Sequence, residues 1–312
     1  MNLYQMGRGG HGAPGELLDD QEYSERIPGM DEQEFVITGY KIIRSFVDSD
    51  ELPFLREKVE QGLTVPPQPG CSRPGNDLHP LRWNDEIVAY LLQSARRLQR
   101  LREILNPGDL KWISAYLSTK PPHSPALWWH QDWWCWDHPI SFSWAAPQVA
   151  LLCYLTDTNK QNGALRILPG SHHSSTSMHR VLPEPHGEIA NALPADHIAL
   201  ADLAEQITIE LQAGDAIVLD YRLLHGTHAN DTPKRRDCIL LSFTPTWNTL
   251  PRELRAHLIA HPALPVETED KDRSASRYDD ILPRFEGSSA DLSINRVPPA
   301  NFTIRDSLSI DC

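Results

Sequence analysis

Trp128-Trp129-His130-Gln131-Asp132-Trp133-Trp134-Cys135-Trp136-Asp137-His138 places one imidazole and one carboxylate two positions apart inside a run of indoles. In an extended strand such residues point to the same face, so His130 and Asp132 can converge on one point without distorting the backbone. The indole ring is too large and too amphipathic to be common in a solvated loop, so the stretch reads as buried. An aromatic core strand with two incidental polar residues is the plainer alternative, but a buried His–Asp pair costs free energy unless something pairs both. A metal ion would. Two His and one carboxylate on one face of an octahedron are the donors of a non-haem Fe(II) site with open positions. The third ligand must then arrive from far along the chain, and that demand bears on the fold.

Downstream of Lys111 the sequence supplies the means. Residues 112–117, 148–155, 164–168, 207–211, 215–220 and 238–244 are short β-branched or apolar runs separated by Pro, Gly, Asn or Asp turns. With hardly a helical pattern between them, they predict a mainly β domain with flanking helices, a double-stranded β-helix or cupin-like jelly roll. Such a fold gathers distant strands around one mouth. After the Gly214-Asp215 turn, a strand ends at Leu223-Leu224-His225-Gly226. His225 closes the apolar run, where an imidazole can be held rigidly, and is preferred as third ligand over His228. Arg236, at the start of the next strand, offers a fixed cation near the same mouth, whereas Arg235 reads as an ordinary surface charge.

The flanks read outward from there. Residues 1–30 are polar and Gly-rich and predict a flexible arm. Glu34 to Arg44 reads as a strand with a turn at Gly39, and a helix is predicted over 48–62 with Pro53 in its first turn. Residues 63–80, with five prolines and two glycines, read as a loop. Ile87, Leu91, Ala95, Leu98, Leu101 and Leu105 recur at helical spacing, predicting one helix over 84–105 that ends at Pro107-Gly108, with Arg96, Arg97, Arg100 and Arg102 on a solvated face. Residues 172–206 form a His-, Pro- and Ala-rich insertion of the kind that serves as a lid or binding loop. One catalytic domain is thus expected over 31–250, with 251–312 as a polar extension packing on it.

Composition narrows the function. A chain of 312 residues with formal net charge −13 argues against nucleic acid or an anionic membrane as partner, and disfavours a polyanionic substrate. No apolar run reaches the length of a membrane span, and the first twenty residues lack a signal-peptide core, so a cytoplasmic protein is expected. Cys71, Cys135, Cys153, Cys238 and Cys312 are odd in number and contain no Cys-x-x-Cys, which fits neither a disulfide framework nor a structural zinc site. They are expected to be reduced and mostly buried.

Four motifs in order, His130-Gln131-Asp132, Asn162-Gly163 through Pro169-Gly170-Ser171-His172, Gly214-Asp215, and His225-Gly226-Thr227 with Asn230 and Arg236, resemble the phytanoyl-CoA dioxygenase family of Fe(II)/2-oxoglutarate oxygenases. Lys120-Pro121-Pro122 is similar too, and the likeness covers about residues 110–245. The resemblance implies that His130, Asp132 and His225 hold iron and that Arg236 meets the distal carboxylate of 2-oxoglutarate, its planar fork suiting a carboxylate. It places Thr227 and Trp136 beside the cosubstrate and leaves Asn162 and Gly163 as a turn before a core strand. The implied reactants are Fe(II), 2-oxoglutarate and O2, giving succinate, CO2 and an oxidised substrate. Halogenases of related fold carry a small residue at the position of Asp132, so a carboxylate there implies hydroxylation, or desaturation or epoxidation. Trp133, Trp134 and Gln131, with Trp129, are expected along the substrate wall, although side chains alternate and not all can face it. An acidic chain without a basic stripe is a poor host for coenzyme A, so a free small molecule is expected, such as a natural-product intermediate or a modified amino acid. Three alternatives stand beside this: an acyl-CoA hydroxylase of the same family, a cupin enzyme using zinc or manganese without cosubstrate, and a non-catalytic jelly-roll binding protein.

Overall fold

The computed structural model describes residues 29–66, 72–105 and 109–304. Nearly all of the predicted arm, the Pro107-Gly108 helix stop, Cys71 and Cys312 lie outside the described residues. The chain begins with α1 (Met30–Thr38), β1 (Tyr40–Ile43), α2 (Leu52–Gly62), β2 (Ser72–Arg73), β3 (Asn76–Leu81), α3 (Glu86–Leu92) and α4 (Ala95–Leu105). The barrel strands follow: β4 (Lys111–Lys120), β5 (Leu127–His130), β6 (Val149–Tyr154) and β7 (Leu165–Ile167). After α5 (Glu188–Asn191) come β8 (Ile207–Ile209), β9 (Ala216–Asp220), β10 (His225–Thr227) and β11 (Arg236–Thr244), and then α6 (Arg252–Leu258) and α7 (Asp270–Ala275). One sheet runs β1-β9-β6-β11-β4-β3-β2 and the other β5-β10-β7-β8, with antiparallel pairing throughout. These two sheets are the faces of a double-stranded β-helix.

Period-two alternation explains how the larger sheet is buried on both faces. Leu151, Val218, Ile239 and Leu241 turn toward the apolar stripes of the helices, where Leu55, Val59, Val88, Leu91, Leu98 and Leu101 meet them. Their neighbours Ala150, Ile217, Leu219 and Cys238 turn inward against Leu165, Ile167 and Ile209 of the smaller sheet. A one-residue slip would exchange the two sets, so the register is fixed by packing.

Several predicted elements differ. The run 34–38 is the end of helix α1 and not a strand. Gly39 caps the helix in the left-handed conformation (φ 81), donating its N–H to the Phe35 carbonyl at 2.8 Å. A Cβ at Gly39 would lie 2.6 Å from His172 Nδ1, so only glycine fits. The predicted helix over 48–62 starts at Leu52, after a turn in which the Glu51 N–H donates to the Asp48 carbonyl. The proline-rich loop over 63–80 contains β2 and β3. Because β2 pairs only with Asn76 and Asp77, the rest of β3 is a sheet edge, where Pro80 is tolerated.

The single helix over 84–105 is two helices, broken at Gln93-Ser94, where Ser94 Oγ accepts the Arg97 N–H at 3.4 Å and starts α4. Arg97 is 3% exposed and not on a solvated face: it pairs with Glu51 and donates to the carbonyls of Phe46 (3.1 Å) and Tyr90 (3.3 Å). In the insertion 172–206, Met178, Ala190 and Ala199 are buried against Trp129, Trp128 and neighbouring leucines. From the tail, Leu254, Leu258 and Phe302 pack on Trp133 and Trp136. Cys135, Cys153 and Cys238 are buried free thiols. Among the described residues no helix is long and apolar enough to cross a membrane.

Candidate active site

Strands β5 and β10 are neighbours, with His225 directly opposite His130 and their rings 4.2 Å apart between centroids. The close approach depends on Gly226, where a Cβ would lie 2.9 Å from the Leu127 carbonyl oxygen and 3.0 Å from that of Trp128. Asp132 reaches the same point from a turn, not from the strand, because β5 ends at His130. The N–H groups of Asp132 and Trp133 both donate to the Tyr221 carbonyl at 2.9 Å, which bends the chain back over the histidines. One ligand atom from each of His130, Asp132 and His225 lies within 4.8 Å of the others. The carboxylate stands 3.7 Å from His130 Nε2 and 3.5 Å from His225 Nε2.

The rings are also in the right tautomer. His130 Nδ1 donates to the Trp128 carbonyl (2.9 Å) and His225 Nδ1 to that of Leu223 (3.0 Å), leaving both Nε2 lone pairs facing Asp132. Burial, and then the neighbouring His225, hold His130 well below its usual proton affinity. Burial opposes ionisation of Asp132, but His225, His186 and His130 outweigh it and keep the carboxyl well below its usual range. Neutral imidazoles and an ionised carboxylate are the forms that bind a divalent metal, so the donor set fits Fe(II).

His186, from the insertion, completes this neighbourhood and was not foreseen from the sequence. Its Nε2 stands 3.4 Å from Asp132 Oδ1, and its backbone is left-handed (φ 66). The only signal was its place in a His- and Pro-rich insertion.

Arg236 opens β11 and lines a cavity of about 410 Å³ together with the triad, His186, Thr227 and Trp134. Its Nη1 donates to the Gly163 carbonyl at 2.7 Å, and the guanidinium stacks 5.3 Å above the Tyr154 ring. Among the described residues its buried Nε has no partner, a donor that a bound carboxylate would satisfy. Opposite it in register, buried Lys120 donates to the carbonyls of Gly75 (3.0 Å) and Pro125 (2.7 Å). Burial first, and then Arg236 and Arg166, push the Lys120 ammonium down to about 7. Gly163, expected as a turn, therefore also anchors the arginine.

The predicted substrate wall is partly corrected. Trp134 lines the cavity, donating Nε1 to Gln148 Oε1 at 2.8 Å with its ring 4.8 Å from that of His257. Trp133 is turned into the core, donating to Ser141 Oγ at 2.8 Å. Trp136 does not border the cavity: it is buried against Phe302 (4.9 Å) and Phe142 (6.2 Å). Gln131 points behind the site, donating to the Arg222 carbonyl and meeting His179 Nε2 at 3.0 Å. Trp129 is buried elsewhere, donating to the Ala201 carbonyl. The period-two alternation continues past the end of β5, so Asp132 and Trp134 join His130 at the cavity while Gln131 and Trp133 point away from it. His228, the rival third ligand, contacts Thr208 Oγ1 at 2.9 Å, away from the triad.

The model of the phytanoyl-CoA dioxygenase (PhyH) family matches residues 38–238. The chain belongs to that family. It is 27% identical over 219 residues to an L-proline trans-4-hydroxylase of Streptomyces griseoviridis, covering 63% of this chain and 77% of that enzyme. It is 26% identical over 243 residues to an ectoine dioxygenase of Streptomyces avermitilis, covering 72% and 80%. The fold matches that of HygX from Streptomyces hygroscopicus, solved with nickel, 2-oxoglutarate and hygromycin B, at a TM-score of 0.52 and 20% identity over 70% of this chain and 88% of that one. As a PhyH protein carrying a His-Asp-His site in a jelly roll, the chain is an Fe(II)/2-oxoglutarate-dependent dioxygenase.

Proposed function

We propose that this PhyH dioxygenase hydroxylates a C–H bond of a free small molecule, with His130, Asp132 and His225 holding the iron and Arg236 the distal carboxylate of 2-oxoglutarate. The observation that carries the reading is the meeting of the three donor side chains within 4.8 Å in the same cavity as Arg236. When bound, Fe(II) with 2-oxoglutarate and O2 supplies the oxidising power, the cosubstrate leaving as succinate and CO2. The chain's own share is orientation. The Trp128 and Leu223 carbonyls fix the two imidazoles, and Tyr221 and His186 fix the carboxylate. Gly163 and Tyr154 hold the Arg236 fork so that binding 2-oxoglutarate costs little reorganisation. Thr227 lines the cavity beside it, and Trp134 with Tyr221 helps exclude water.

A free small molecule is favoured over a CoA thioester by the size of the cavity, which substrate and cosubstrate must share. The small molecules for which the relatives are named, L-proline and ectoine, support the same class. The buried free thiols support the cytoplasm as its compartment, and the net charge of −13 supports the absence of a nucleic-acid partner.

Anaerobic addition of Fe(II) and then 2-oxoglutarate is expected to raise the visible charge-transfer band of the chelate. Arg236→Gln is expected to weaken 2-oxoglutarate binding about tenfold to a hundredfold, the worth of a charged hydrogen-bonded pair. No band in the wild type, or a band formed with unchanged affinity in the variant, rejects the assignment.

A further inference from the structure

Tyr154 closes β6 on the inner face of the larger sheet. It pairs with Cys238 across β11, which makes Arg236, two residues before Cys238, its diagonal neighbour on the same face. The guanidinium lies 5.3 Å above the ring, and both side chains line the cavity that holds the triad. The backbone at Tyr154 is pinned, its N–H donating to the Asp215 carbonyl at 3.0 Å and its carbonyl accepting the Gly214 N–H at 2.8 Å, so the ring springs from a fixed point. Although Tyr154 is only 1% exposed, its hydroxyl has no hydrogen-bond partner among the described residues, and neither has the neighbouring Arg236 Nε. An unpaired buried donor is costly, and two of them at one end of one cavity call for an acceptor with two oxygens. Burial raises the phenol above its ordinary pKa against the pull of Arg236, so the hydroxyl keeps its proton and can donate it. Thr227, from the facing sheet, accepts the Leu127 N–H on Oγ1 at 3.4 Å, which leaves its own hydroxyl proton to donate into the same cavity. Among the described residues lining the cavity the one acid is Asp132, which stands against the histidines.

We infer that the Tyr154 hydroxyl donates directly to the distal carboxylate of 2-oxoglutarate, sharing it with Arg236, and that this pair makes the site select a dicarboxylic 2-oxo acid over a monocarboxylic one. The inference rests on the reading of Arg236 as the partner of that carboxylate. A carboxylate has about four lone-pair directions, enough to accept from the guanidinium and the phenol together. The two donors contribute differently. Arg236 supplies charge, which any anion of suitable reach would feel, whereas the phenol is a neutral donor held in place by its ring and rewards an oxygen only at one position. The ring under the guanidinium and the hydroxyl at its edge are therefore separate contributions, and a substitution can remove one without the other.

The test titrates the full chain, loaded with Ni(II) for calorimetry, with 2-oxoglutarate and with 2-oxopentanoate, which carries a methyl group in place of the distal carboxylate. Tyr154→Phe keeps the ring beneath the guanidinium and removes only the hydroxyl. It is expected to weaken 2-oxoglutarate binding about tenfold or more, as for a hydrogen bond to a charged group, and to leave the weaker binding of 2-oxopentanoate unchanged. Its melting temperature without ligand is expected to be no lower than that of the wild type, because the hydroxyl it loses has no partner in the protein. A merely structural role would lower the melting temperature and weaken both acids alike, so either a Phe variant that melts well below the wild type or an equal loss for both acids overturns the inference. Arg236→Gln is measured alongside. Weakened 2-oxoglutarate binding in that variant with unchanged binding in Tyr154→Phe overturns the role of the hydroxyl and leaves the arginine assignment standing. Unchanged binding in Arg236→Gln would instead refute the reading on which the inference depends.

Discussion

At the scale of single residues, His186 is the least expected member of the site. A non-glycine residue in the left-handed region costs roughly 1–3 kcal/mol, and such conformations persist where the surroundings over-determine them. Here the determining contact is Nε2 against Asp132 Oδ1 at 3.4 Å, an outer contact that orients the carboxylate proposed to bind the metal. His186→Ala is expected to weaken Fe(II) binding about tenfold to a hundredfold, measured by anaerobic titration, with the overall fold preserved. Unchanged affinity would mean that the backbone anchor on Tyr221 suffices to place the carboxylate. Trp136 illustrates the reverse lesson: the family resemblance implied a place beside the cosubstrate, while its ring packs in the core against Phe302.

Between elements, the joint of α2, α3 and α4 rests on Glu51, which accepts from Arg97 and, at 2.7 Å, from the Tyr90 hydroxyl. Burial raises the Glu51 carboxyl, but these hydrogen bonds and the Asp48 N–H outweigh it and bring it from 4.5 down to about 2. A carboxyl with a lower pKa in the folded state takes its proton first in the unfolded chain. Its stabilisation is therefore complete above about pH 4.5 and fades as pH falls toward about 2. Glu51→Gln leaves Arg97 buried without its counter-ion and is expected to cost roughly 2–3 kcal/mol at pH 7. That is less than for a fully buried pair, because Glu51 keeps 21% of its side chain exposed. Urea unfolding at pH 7 and pH 3 checks this, and the gap between variant and wild type should narrow at the lower pH.

On the scale of the whole molecule, the C-terminal segment is structural cover and site wall at once. Leu254, Leu258 and Phe302 close over Trp133 and Trp136, while His257, His261 and Arg296 line the cavity. Removing large buried apolar side chains costs roughly 2–5 kcal/mol each, so losing three approaches the whole stability of a typical domain, about 5–15 kcal/mol. A chain ending at Leu250 is expected to lose its cooperative thermal transition by calorimetry. A soluble product melting like the full chain would show that the barrel does not need this cover.

The sequence by itself determined what local chemistry and periodicity can carry. Alternating apolar runs specified the antiparallel barrel, because a sheet buried on both faces needs them. His130, Asp132, His225 and Arg236 were legible because donor type and position at strand ends are written in short stretches. Helical spacing of leucines gave α3 and α4, although the break at Ser94 depended on a single hydroxyl cap. Only the tertiary structure decided how far the alternation continues past β5, and with it which indoles face the cavity and that Gln131 turns away, that 30–38 is helical, and that His186 meets the triad and Tyr154 meets Arg236. Those outcomes depend on contacts between residues far apart in the chain, and packing, not sequence neighbourhood, sets which of them meet.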